Sequence, residues 1–331
     1  MESDLQITVK GLPADIGSAI GNAVATVVRT FKEADDYLDF RRMHRIVVTA
    51  DFAGELAELS AATVSGNITT YTNEDYAVAV AKVMILPRDE EFEILPIVNA
   101  NIAAALAQED PENFDKELFR SALHLLHHEL CHVHDDNKKI DAFKSHMLRT
   151  RYTGKDMYIR PLAEVCWSEY IATLLSSSTA GQNDIAGMTG SFAEAIKRTK
   201  QEINKEIISY RYHGDLMKLL GAFGRHGEFL AKAAAYTLGY VDGLGTSLAE
   251  LSIEASETLS GSYFEPTWKA MHSSFRKMFK IYPDGWQDLA VMDDLALSIE
   301  NYYAEMGLIL STTEDGQAYL GVPFRPETTP N

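Results

Sequence analysis

The chain has 331 residues, enough to bury one large core or two modest ones, and its 46% hydrophobic and 24% charged content reads as an ordinary globular protein. Lys and Arg total 30 against 48 Asp and Glu, a formal charge of −18 that repels phosphate backbones and anionic headgroups and so argues against nucleic-acid or membrane partners. The two cysteines, Cys131 and Cys166, make no disulfide framework and fit a reducing compartment. MESDLQITVKGLPADIG carries acids where a signal peptide needs a basic region, and no window approaches the roughly 18 apolar residues of a membrane span, so the expectation is a cytoplasmic protein.

The alternation in LQITVKGL (5–12) predicts a short strand, and a helix is expected from Ala14 to about Phe40, with Ile16, Ile20, Val24, Val27, Val28 and Phe31 on one stripe. RIVVTADF (45–52) and YAVAVAKVMILP (76–87) read as strands, the second closed by Pro87. FEILPIV (92–98) is interrupted by Pro96 and would lie at an edge if it is a strand. Asp110-Pro111-Glu112-Asn113 signals the start of a helix that runs to about Val133, and Pro161 opens another over 162–178. After a Ser/Gly/Asn/Asp break at 176–185 the pattern is helical over 190–213, 215–240, 244–260, 264–280 and 286–309. A turn-rich tail from about 311 includes YLGVPF as a short strand candidate. The expected class is α+β: a small antiparallel or mixed sheet packed on the histidine helix, then a mostly helical C-terminal half, with a boundary near 180 between regions 1–180 and 181–331.

SALHLLHHELCHVHDDNK (121–138) holds five of the ten histidines. Within it, His128-Glu129-Leu130-Cys131-His132 reads H-E-x-x-H. Residues four apart on a helix lie about 40° apart around the axis, so both imidazoles can reach one ion from the same face. Glu129 is displaced by about 100°, beside that ion without being needed as a ligand. There it can take a proton from a water whose pKa a zinc ion lowers to about 7. The other histidines read differently. His124 suits the rim of such a site, and a His127–Cys131 pair would cost Glu129 its role. His134 and Asp135 are expected to begin the loop that leaves the helix, with Asp135 or Asp136 available to hold a ligand imidazole from behind.

A tetrahedral zinc site open to water needs a third protein ligand. The H-E-x-x-H helix followed by Trp167-Ser168-Glu169-Tyr170-Ile171-Ala172 resembles the gluzincin class of zinc metallopeptidases, over roughly residues 76–178. In that class the third ligand is a glutamate on a later helix, often within Asn-Glu-x-x-Ala, and here Ser168 stands for the Asn. The resemblance implies one zinc ion on His128, His132 and Glu169, with Glu129 as general base in peptide hydrolysis and a peptide or protein as substrate. Glu164 is the alternative third ligand. Five residues on a helix are about 140° apart, so the two carboxylates cannot share an ion. Small neighbours (Val165, Cys166, Ala172, Thr173, Ser176) favour the Glu169 face for a close helix approach, whereas Trp167, Ile171 and Leu175 flank Glu164.

Tyr210, Tyr212, His213 and His226 are candidate oxyanion stabilisers among which the sequence does not choose. Cys131 and Cys166 each lie one turn from an expected ligand; they read as small buried apolar residues, with a redox-sensitive pair as the sharper alternative. GYVDGLG (239–245) has no preceding strand and no lysine, so it is no phosphate loop. Two rival readings accompany the peptidase: a catalytically silent zinc scaffold that binds or regulates, and a zinc hydrolase of non-peptide amides. Glu129 separates the first rival, because a structural site has no use for it.

Overall fold

In a computed structural model of the protein, residues 5–62, 73–74, 77–78, 80–88, 91–108, 110, 112–143 and 152–329 are described. Tyr76, Ala79 and Pro111, which belong to expected elements, lie outside them. The architecture is α+β, with a mostly helical C-terminal half. Two compact units are present, Met1–Lys138 with Leu175–Asn183, and Lys139–Leu174 with Asp184–Asn331. This division groups 139–174 with the C-terminal helices, unlike the boundary near 180 expected from the sequence.

The first unit is built on β1 (Gln6–Lys10), α1 (Ala14–Ala34), β2 (Arg45–Thr49) and α2 (Phe52–Ala62). Asn73–Glu74 and Ala77–Val78 form a minimal antiparallel pair, β3 and β4. They are followed by β5 (Ala81–Arg88), β6 (Glu91–Asn99) and the short α3 (Ala100–Ala104). The main sheet has the order β1-β2-β6-β5. Its first two pairings are parallel and β5·β6 is antiparallel. Both faces of β2 are covered, which explains its unbroken apolar run. Val47, Leu95 and Ile97 pack with Phe52, Leu56 and Met84. On the opposite face, α1 comes close enough that a Cβ at Gly17 or Gly21 would sit 3.5 Å from Val9.

Three expectations about proline and helix ends are corrected. β6 is an interior strand despite Pro96. Ile94 N–H is donated to the Arg42 carbonyl, and registered pairing with β2 starts only at Ile97. The N–H that Pro96 lacks therefore falls in a gap of the ladder. Pro87 does not close β5 but pairs with Phe92 on what is an edge strand. α1 ends at Ala34 rather than near Phe40, where Asp35 turns the chain by accepting the Tyr37 N–H.

α4 (Lys116–Phe143) starts one turn after the Asp110 signal, because Asp115 accepts the Glu117 and Leu118 N–H groups. It also runs well past Val133. α5 (Asp156–Ser176) begins before Pro161, which lies inside the helix.

The second unit adds α6 (Gln182–His213) and α7 (Leu216–Ala222), a π turn over Phe223–Glu228, and α8 (Phe229–Gly243). Then come α9 (Leu248–Leu251), α10 (Ile253–Leu259), α11 (Glu265–Lys280) and α12 (Asp293–Glu305). The tail forms a hairpin of β7 (Ile309–Thr312) and β8 (Ala318–Gly321), so a strand does include part of YLGVPF. Trp167 and Tyr170 of α5 sit in an aromatic core: Tyr170 stacks on Phe275 at 4.3 Å and Trp167 lies 4.9 Å from Trp286. On another side of α5, Gly239 of α8 comes so close that a Cβ would meet Thr173 at 2.6 Å and the Tyr170 carbonyl at 2.7 Å. The small-residue face of α5 thus takes a closely approaching helix, α8.

Candidate metal centre

α4 turns the spacing of H-E-x-x-H into geometry. His128 and His132 direct their Nε2 atoms at one another across 3.0 Å, with the rings edge to face at 88°. Two nitrogens bound at about 2.05 Å to one tetrahedral ion would be about 3.3 Å apart, so this pair is spaced as a chelate. Glu169 of α5 completes the group: His128, His132 and Glu169 each offer one ligand atom, and these atoms all lie within 4.8 Å of one another. Two imidazoles and a carboxylate suit zinc and other borderline divalent cations, and the set can hold a metal ion. His128 is buried, whereas His132 and Glu169 are half-buried.

Glu164 is engaged elsewhere. The Tyr152 hydroxyl donates to Glu164 Oε1, and burial together with that carboxylate raises the phenol's pKa. Of the two carboxylates weighed from the sequence, Glu169 is the one grouped with the imidazoles.

Glu129 is buried on α4 and adjoins His128 in the chain. Cys131 and Cys166 are both free thiols with no exposed surface. Burial raises both thiol pKa values, helped at Cys131 by Asp35 and Glu129. Thiols held protonated and away from solvent are inert. Neither should react with Ellman's reagent at pH 8 in the folded protein, and both should after denaturation. Rapid native labelling of either would contradict the buried, inert assignment.

The remaining histidines of the stretch are held by other groups. His124 Nδ1 and His127 Nδ1 lie 3.1 and 3.0 Å from the Thr179 hydroxyl, which donates its own proton to the Ser176 carbonyl. With that proton used, both imidazoles must donate from Nδ1. His127 also stacks on Phe31 at 4.2 Å. Burial, then the neighbouring His124, brings its pKa down to about 4 and keeps it neutral. His134 and Asp135 do not begin a loop; they are fully buried inside α4. His134 Nδ1 accepts the Asp39 N–H at 3.0 Å, and burial lowers this imidazole to about 4 as well.

Thr179 was not foreseen: it sits in the Ser/Gly-rich break, and no local pattern marks it as the partner of two histidines fifty residues earlier. Glu228 is equally inconspicuous in the sequence. It ends the π turn, and burial raises its carboxyl pKa against the pull of Lys232. Its only sequence signal was an acid four residues before a lysine. Among the oxyanion candidates, Tyr212 is largely exposed and His213 Nδ1 accepts the Asp215 N–H. His226 lies in the π turn, where its carbonyl accepts from Thr199.

Comparisons with protein-family models, curated proteins and solved structures returned no match. No helix among the described residues is long and apolar enough to cross a membrane.

Proposed function

We propose that the protein is a zinc-dependent hydrolase of gluzincin type that cleaves peptide bonds. The reading is carried by the grouping of His128, His132 and Glu169, with Glu129 next to His128 on the same helix. His128, His132 and Glu169 would hold the ion, three protein ligands being the number that suits a catalytic zinc site. A bound zinc ion supplies Lewis acidity and makes water a competent nucleophile near neutral pH. Glu129 takes the proton released as water attacks the scissile carbonyl and then delivers it to the leaving amine, so one carboxylate serves as base and then acid. Its burial favours that exchange by keeping the carboxyl away from bulk solvent.

Glu129 also sets this reading above a silent scaffold, since a structural zinc site is closed by a fourth protein ligand and needs no adjacent base. Among the described residues, the group that could hold a metal contains three such side chains and no cysteine. A cytoplasmic location and a peptide substrate belong to the same proposal.

The test is metal content and hydrolysis of a mixed peptide library by the purified protein. The expected result is about one zinc per chain with cleavage abolished by a chelator and restored by zinc. Cleavage that survives complete metal removal would refute the proposal.

A further inference from the structure

Among the described residues, the strongly acidic chain carries a basic groove along a single helix. It has a volume of about 480 Å³, and its lining includes Trp268, Lys269, His272, Arg276, Lys277 and Lys280. All six residues belong to α11, and no acidic side chain contributes to the lining. The groove is open to solvent along the outer face of this one helix.

Two of the donors are fixed from behind. Asp242 is half-buried, with its side chain 10% exposed. Its oxygens lie 3.0 Å from His272 Nε2, and Oδ1 accepts from Arg276 Nε at 3.0 Å and Nη2 at 2.6 Å. The Tyr170 hydroxyl donates to Oδ2 at 2.7 Å. These bonds hold the Asp242 pKa at about 2 against the upward push of burial, so the anchor stays charged. His272 keeps Nδ1 outside this cluster, and the Arg276 side chain is 63% exposed. Trp268 is held in place by stacking on Phe192 at 4.9 Å.

The lysines have surface partners: Lys269 pairs with Glu265 and Lys277 with Asp294. Such exposed pairs contribute little, and a ligand carrying several carboxylates can take their place.

We propose that this groove is a docking site for a short acidic segment of a polypeptide, with its carboxylates on Arg276, His272 and the lysines. An acidic peptide fits better than nucleic acid. Its charges are few and local, whereas a long polyanion would also meet the repulsion of a −18 chain. The inference stands on the groove's own geometry and does not depend on the metal centre.

The test is fluorescence anisotropy with a labelled octapeptide of alternating Glu and Leu. A Lys/Leu peptide and a single-stranded oligonucleotide of equal charge serve as comparisons. All are measured in a Glu129→Gln background, so that hydrolysis cannot consume the probe. The Glu/Leu peptide should bind saturably and weaken with added salt. K269Q/K277Q/K280Q should bind it about tenfold more weakly with an unchanged far-UV spectrum, because all three changes are of surface charges. Arg276→Gln should weaken it independently. No saturable binding, unchanged affinity in the triple variant, or equal affinity for the oligonucleotide would each overturn the proposal.

Discussion

Glu129→Gln is expected to keep about one zinc ion per chain while losing hydrolysis by about 10²- to 10⁴-fold, the usual weight of a positioned acid–base group. The amide has nearly the volume of the carboxyl, so the helix and the two imidazoles around it should not move. Glutamine can still donate and accept hydrogen bonds, but it cannot take up the proton of the attacking water. Glu169→Ala should behave in the opposite way, losing the metal first and activity as a consequence. Glu164→Ala separates the two carboxylates: it removes the partner of Tyr152 and should leave zinc bound. Metal analysis and initial rates on the three variants decide the matter. Wild-type activity in Glu129→Gln would eliminate the peptidase reading, and zinc loss in Glu164→Ala rather than Glu169→Ala would reassign the third ligand.

The two histidines were legible because helical periodicity is local: four residues on α4 bring two Nε2 atoms within 3.0 Å whatever surrounds them. β1 and β2 were legible for a similar reason, since β-branched alternation and an unbroken apolar run mark half-covered and doubly covered strands. The preference for Glu169 rests in the sequence on small residues that permit close helix approach; the close approach seen on α5 is that of α8 at Gly239, and it is the grouping with His128 and His132 that sets Glu169 apart from Glu164. The engagement of Glu164 was not legible, because Tyr152 reaches it from twelve residues upstream in a region with no helical signature. Pro96 misled because the rule concerns a missing donor, and whether the donor is missed depends on where the neighbouring strand's pairing starts. His124, expected at the rim of the site, and His127, disfavoured as a ligand with Cys131, both meet Thr179, a partner that no local pattern marks. In each failure a long-range partner outweighed a local rule.

Asn137→Ala should destabilise the protein by about 2–4 kcal/mol, far more than a polar residue in a DDNKK run would suggest. In isolation that run reads as a solvated helix end, and the helix was expected to stop near Val133. Asn137 is instead fully buried on α4. Its side-chain amide donates to the Asp39 carbonyl at 2.9 Å and to the Val133 carbonyl at 3.0 Å, and its oxygen accepts from Arg42 at 3.1 Å. Lys138 adds an ion pair with Asp39 at 3.0 Å, and His134 takes the Asp39 N–H. The segment around 39–42 therefore supplies the partners that let ten polar-rich residues continue as helix beyond Val133. Alanine forms helix better than asparagine, so the measured cost is a lower bound on the hydrogen bonds, with the Asp39 and Val133 carbonyls and the Arg42 guanidinium each losing a partner. The matched control is Arg198→Ala, which removes an exposed pair with Glu194 at 3.7 Å and should leave the urea midpoint within error. Equal midpoints for Asn137→Ala and wild type would show that the 39–42 contacts do not hold this end of α4. A lower midpoint with zinc binding intact would show that they set the stability of the metal helix without shaping its ligands.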